Sequence, residues 1–220
     1  MTDLSVLRTI LHPLPPAWTL LTGLDTGTYL SACFVLFPPE PAHTAFVIAE
    51  FPNYRYVGGE LELLGLSIPE WSRALVAAYH LFHPGRTRLT AFCDENSQFK
   101  TELAHYGIAL HGNRRKLELR VEIAREYFAN RRVWLAPWLS VLPYELELAQ
   151  WPPATSSAGR FERLKEHDHT LDTIEHVLSR RPRHKSMVQE NTESLIDQHL
   201  REHRWRDGFS KADPHLGVHG

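Results

Sequence analysis

Three short apolar runs open the patterned part of the chain: Thr19 to Asp25, Tyr29 to Phe37 and Thr44 to Phe51. Each is too short for a core helix and rich in Thr, Val, Ile and Phe, which fits strands. Thr26-Gly27-Thr28 is a hairpin-length connection, and Pro38, Pro39 and Pro41 break the chain before the third run. The pattern predicts an antiparallel three-strand meander. Residues 1–18, with Pro13, Pro15 and Pro16, read as an irregular segment leading into it.

The period then changes. Behind Pro69, the residues Trp71, Leu75, Ala78 and Phe82 recur at helical spacing until Pro84-Gly85. Arg88 to Cys93 predicts a strand that delivers Asp94 at its carboxyl end, and Phe99 to Tyr106 a short helix stopped by Gly107. Residues 115–129 are the longest helix candidate, with Leu117, Val121, Ala124 and Phe128 on one face. Val133 to Ala136 predicts a strand, Trp138 to Gln150 a helix despite Pro143, and 151–160 a loop. A last helix is expected from Asp168 to about Arg180 with Asp168 as N-cap, and 186–220 reads as a polar tail, in which Leu195, Ile196 and Leu200 offer a short apolar patch. A meander followed by helix–strand units predicts an α/β fold, a mixed sheet with helices on its faces.

Composition narrows the class. At 220 residues, 43% hydrophobic and 23% charged, the chain has ample material for a core and excludes collagen-like or wholly disordered readings. No run approaches the ~18 apolar residues of a membrane span, and no signal-peptide pattern opens the chain, so a soluble intracellular protein is expected. Cys33 and Cys93 lie in apolar runs and read as buried thiols. Lys plus Arg total 24 against 26 Asp plus Glu. A protein that only coats nucleic acid is usually basic, whereas one that cuts it also carries acids for metal, and the two cancel.

Three acidic places stand out. Asp25 and Asp94 each end a strand, and Glu166-His167-Asp168-His169-Thr170-Leu171-Asp172 opens a helix. Joined by folding, such carboxylates suit phosphodiester hydrolysis, in which divalent ions ~3.5–4 Å apart stabilise the attacking and leaving oxygens. Asp168 or His169 shares a helix face with Asp172. Taken singly, a strand-end aspartate is a turn former and Asp168 an ordinary cap.

In order, Gly23-Leu24-Asp25-Thr26-Gly27, Phe92-Cys93-Asp94 and Asp168-His169-Thr170-Leu171-Asp172 resemble the nuclease domain of the large terminase subunit of tailed double-stranded DNA phages. The resemblance covers roughly residues 19–181. It implies a ribonuclease H-like mixed sheet, with the antiparallel meander joined by parallel strands and flanked by helices. It also implies a nuclease domain over 19–185 and a metal-dependent endonuclease that cuts concatemeric viral DNA during packaging. Asp25 would then be the central bridging ligand and Asp94 the second carboxylate of a site for Mg²⁺ or Mn²⁺, two ions in the active complex. The third ligand stays open among His169, Asp172 and Asp168, because members of the family carry either two adjacent aspartates there or Asp-His with an acid three residues later. Ser31 stands where some members place an extra acid, and Glu95 reads as solvent-facing. Double-stranded DNA, a terminase ATPase domain, the small terminase subunit and a capsid portal are the implied partners, in the host cytoplasm. No G-x-x-x-x-G-K-[ST] loop occurs in the chain, so an excised C-terminal domain is expected rather than a whole motor.

Arg114, Arg115 and Lys116 at the start of the long helix suit phosphate contacts without base readout, and Arg163 and Lys165, with Arg160, precede the third motif. Arg180, Arg181, Arg183 and Lys185 would extend the track, while Tyr54, Arg55 and Tyr56 read as an edge strand. The same sheet carries ribonuclease H and Holliday-junction resolvases, which form one alternative. A non-catalytic docking module, whose acids are caps and turns, is the other.

Overall fold

The computed structural model describes residues 2–10, 14, 17–39, 43–94, 99–149, 168–180 and 210–211. Strands β1 (Thr19–Thr26), β2 (Leu30–Phe37) and β3 (Ala45–Glu50) form the expected antiparallel meander. Parallel strands extend it on both sides. β6 (Leu89–Asp94) and then β7 (Ile108–Asn113) join beyond β1, and β8 (Val133–Leu135) joins beyond β3. The two residues of β9 (Ser210–Lys211) pair antiparallel with β8, so the sheet runs β7-β6-β1-β2-β3-β8-β9. Every residue of β2 and β3 is buried, as central strands covered on both faces must be.

One face is covered by α2 (Ile68–Phe82), whose start is a complete capping box: Ser67 and Glu70 satisfy each other's backbone N–H, with Pro69 in the first turn. Its Tyr79 and Phe82 meet Phe34 edge-on, and the Trp71 indole donates to the Phe51 carbonyl at 2.7 Å. The other face is covered by α6 (His169–Leu178), which packs on β1 and β2 and is flanked by α4 (Leu117–Ala129) and α5 (Val141–Leu148). The short helix expected before Gly107 is α3 (Lys100–His105), which packs on β7.

Several expectations are corrected. Residues 1–18 are not irregular throughout: α1 (Leu4–Ile10) buries Leu7 and packs on α2, and the Thr2 N–H and hydroxyl both bond the Glu50 carbonyl. At 15 residues α2 is longer than the 13-residue α4, which begins at Leu117 rather than 115. The helix expected from Trp138 starts at Val141, because the Trp138 indole is drawn to the Ile48 carbonyl instead. Pro143 is tolerated since it falls in the first turn, where its missing N–H has no intrahelical partner to lose. Two elements go beyond the sequence pattern: β7, and the second strand of a separate hairpin, β4 (Tyr54–Val57) with β5 (Glu60–Leu63). The edge-strand reading of Tyr54, Arg55 and Tyr56 agrees with β4. The tail read at 186–220 contributes β9, while the apolar patch at Leu195, Ile196 and Leu200 and the loop 151–160 lie outside the described residues. Cys33 and Cys93 are both buried and free.

Glu50, at the end of β3, is a buried carboxylate that no sequence pattern marks. Its oxygens accept from the backbone N–H groups of Ser140 (2.6 Å), Val141 (2.9 Å) and Leu142 (2.9 Å), capping α5 from across the core. Glu50→Ala strands these donors and is expected to lower stability by about 2–4 kcal/mol in urea denaturation, with Glu50→Gln losing less because one acceptor remains.

Candidate active site

Two of the predicted acids are placed by strand register. β1 and β6 pair in parallel with Thr22 beside Ala91 and Gly23 beside Phe92. Three residues on from Thr22 and Ala91, the same register brings Asp25 level with Asp94, both side chains on the face that carries α6. Asp94 is 65% exposed, and Asp25, at 22%, is half-buried.

Helix α6 crosses this face at right angles to the strands. Thr170 meets Ser31 of β2 through their hydroxyls (2.8 Å). Thr173 lies over Gly23 of β1, where an added Cβ would fall 1.8 Å from its carbonyl oxygen. His176 reaches Asp94 of β6 (3.7 Å), and Ser179 accepts a hydrogen bond from Asn113 of β7 (2.7 Å). Three residues of helix rise ~4.5 Å, close to the ~4.8 Å between strands, so α6 advances one strand for every three residues. His169, Asp172 and His176 form the stripe of α6 that looks toward the carboxyl ends of β1 and β6.

At one end of that stripe, His169 Nδ1 lies 3.0 Å from Asp25 Oδ2, with Tyr29 and Tyr54 packed around the imidazole. At the other, the guanidinium of Arg120, from α4 and only 7% exposed, lies 2.8 Å from Asp94 Oδ1 and against the ring of His176. Helical periodicity sets Asp172, half-buried, between the two ends. Asp168 is buried and occupies the N-cap position, but its side chain makes no capping hydrogen bond. Ser31, neutral where the resemblance implies an acid in some members, is spent on Thr170. Glu95 lies outside the described residues.

Burial alone would lower the pKa of His169, but its hydrogen bond to Asp25 and the charges of Asp25, Glu145 and Asp168 carry it above the ordinary value. A raised folded value means a contribution to stability that is complete below the unfolded value near ~6.5 and lost as pH rises through the folded one. Asp25→Asn removes the main support, so the His169 titration followed by imidazole NMR is expected to move to lower pH. His176 is shifted downward by burial and by Arg120, and is neutral at ordinary pH.

Among the described residues no three His, Cys, Asp or Glu side chains are gathered tightly enough to hold an ion by themselves. The donor set nevertheless fits a hard divalent ion. Such ions keep several waters and take one or two carboxylates together with substrate phosphate oxygens. His169 and Arg120 each bind one oxygen of their carboxylate, and no described residue takes Asp25 Oδ1 or Asp94 Oδ2.

Beside Asp94, at the carboxyl end of β7, an open cleft of about 560 Å³ is lined by Lys100, His111, Arg114, Arg115 and Arg180. Arg180 donates to the Gly112 carbonyl (2.8 Å) and lies 4.6 Å over the Phe92 ring. Its pKa is lowered by burial and then by Arg115, the mark of cations held close together. Of the predicted phosphate contacts, Arg114 and Arg115 line this cleft, and Lys116 instead borders a groove along α4 with Leu119 and Arg125. Arg160, Arg163, Lys165, Arg181, Arg183 and Lys185 lie outside the described residues. Lys100, Arg120, Glu145 and His176 escape a reading of the sequence. Each sits in a helix where a charged or imidazole side chain reads as solvated surface.

The sheet order, the perpendicular α6 and two level strand-end aspartates define a ribonuclease H-like fold. Its solved likenesses are structures of the large terminase from a thermophilic bacteriophage. The complex with ATP-gamma-S is 14% identical, with a TM-score of 0.51 over 76% of this chain and 41% of that one. The ADP complex gives a TM-score of 0.51 at 14% identity, with 76% and 40% covered, and a further crystal structure gives 0.50 at 13%, with 75% and 40% covered. The likeness is one of fold, and the chain spans about two-fifths of the terminase's length. No protein-family model matches the sequence, and no curated protein does. Among the described residues no helix is long and apolar enough to cross a membrane.

Proposed function

We propose that the chain is a metal-dependent endonuclease of the terminase nuclease type, acting on double-stranded DNA. The observation that carries this reading is the register of Asp25 and Asp94, level on neighbouring parallel strands and turned to the same face beneath α6. Asp25 and Asp94 would hold Mg²⁺ or Mn²⁺, two ions in the active complex, with the third contribution from Asp172, His169 or Asp168. Bound there, the ions supply charge for the scissile phosphate and lower the pKa of a water. His169 fixes the Asp25 carboxylate by one oxygen, and Arg120 does the same for Asp94, so each presents its other oxygen. Lys100, Arg114, Arg115 and Arg180 draw the nucleic-acid backbone to the edge next to Asp94. None of them is poised for base readout, which suits cutting with little sequence preference.

The terminase likeness supports the packaging context, with an ATPase domain, the small terminase subunit and a capsid portal as partners in the host cytoplasm. The experiment is a comparison of linear duplex, RNA–DNA hybrid and four-way junction with Mg²⁺ or Mn²⁺. Cleavage is expected on the duplex, and preference for either other substrate moves the protein to a different nuclease class. In filter binding, replacing both Arg114 and Arg115 by Ala is expected to reduce the slope of log affinity against log salt by about 1–2, uniformly across sequences.

A further inference from the structure

Below His169 lies a polar cluster that the proposed chemistry does not use. Glu145 of α5 is fully buried, and its carboxylate accepts from the Tyr54 hydroxyl (2.7 Å), the Tyr56 hydroxyl (3.1 Å) and the Leu171 N–H (2.8 Å). The Tyr54 hydroxyl also meets Thr170 Oγ1 at 2.7 Å, and Thr170 in turn meets Ser31. One chain of hydrogen bonds therefore joins the β4–β5 hairpin, α5, the first turn of α6 and β2. Burial pushes the Glu145 carboxyl up to about 8 against the donors that surround it, and raises both tyrosines as well.

The Leu171 N–H is the third of the helix, the donor that an N-cap side chain normally satisfies. Asp168 stands at the N-cap without doing so. Glu145 takes the role from another helix, and the first turn of α6 is thereby pinned to α5 rather than to its own preceding residue. His169 is the first residue of that turn, so its 3.0 Å approach to Asp25 depends on where Glu145 holds it.

We infer that Glu145 is a positioning residue, a cap supplied in trans from α5 that sets the first turn of α6 and so seats His169 on Asp25. The inference rests on the nuclease reading only for its effect on rate. The seating itself is a property of the metal-free protein.

The test is Glu145→Gln, with Glu50→Gln as a comparison that weakens a cap of the same kind away from His169. In metal-free protein, the ¹⁵N signals of the His169 ring are expected to shift in Glu145→Gln toward those of a free imidazole and to stay in place in Glu50→Gln, although both variants melt lower. With duplex DNA and Mn²⁺, Glu145→Gln is expected to lower kcat about 10–100-fold, the usual effect of losing an outer-shell partner, with KM changed less than about twofold. Wild-type His169 signals in a folded Glu145→Gln protein overturn the inference whatever the cleavage result. So does an equal shift in both variants, which marks general loosening. Should Glu145→Gln not fold, Tyr54→Phe removes a single hydroxyl from the same chain and must shift His169 in the same direction; unchanged signals there overturn the proposal. A wild-type protein that cleaves no nucleic acid defeats the nuclease reading and leaves the NMR outcome for Glu145 standing.

Discussion

Asp25→Asn is expected to lower Mn²⁺-dependent plasmid cleavage by at least about 10²–10³-fold while the protein stays folded, the scale seen when one preorganised electrostatic group is removed from a reacting centre. Asn has the shape of Asp, and residue 25 is half-buried at a strand end, so little packing is disturbed. The change removes the negative charge and turns one oxygen into a donor. His169, 3.0 Å away, loses its anion, and a divalent ion loses its hardest ligand on β1. A melting temperature within a few degrees of wild type, measured beside the assay, separates chemistry from folding. Undiminished cleavage would remove Asp25 from the mechanism.

Gly23→Ala is the second large effect, and it acts through geometry. The new Cβ would stand 1.8 Å from the Thr173 carbonyl oxygen and 2.6 Å from its carbon, both backbone atoms of α6, and 2.9 Å from Val177 Cγ2. Backbone cannot rotate aside as a side-chain tip can, so the helix must lift by about 1.5 Å to restore contact distance. Overpacking of this kind costs about 3 kcal/mol or more. Because α6 carries His169, Asp172 and His176, the lift also parts His169 from Asp25, and both stability and cleavage fall. Gly85→Ala, at a position with open space around it, should leave the urea midpoint close to wild type.

The contrast between what the chain reveals and what it conceals follows from these contacts. Strands β1 to β3 and helix α2 are legible because their burial is periodic and their ends carry turn and cap residues. Asp25 and Asp94 are legible as strand-end acids, while their common level becomes visible only with the β1–β6 register. The β4–β5 hairpin has a signal in the sequence: Gly58-Gly59 lies between alternating residues, and both have positive φ (61° and 92°), as a tight two-residue turn requires. β7 is concealed because its apolar part, Ile108 to Leu110, is short and follows a helix-stopping Gly107. Arg120 and Glu145 are illegible for a different reason. A buried charge is identified by its partners, and Asp94, Tyr54 and Leu171 all lie far from them in sequence.

Helix α6 touches β2, β1, β6 and β7 through residues 170, 173, 176 and 179. It thus works as a gauge whose graduations match the sheet's spacing. Adding or deleting one residue between His169 and His176 would turn everything downstream by ~100° and carry it ~1.5 Å along the axis. Either His169 would leave Asp25 or His176 would leave Asp94. Over this span the number of residues is fixed as firmly as their identity.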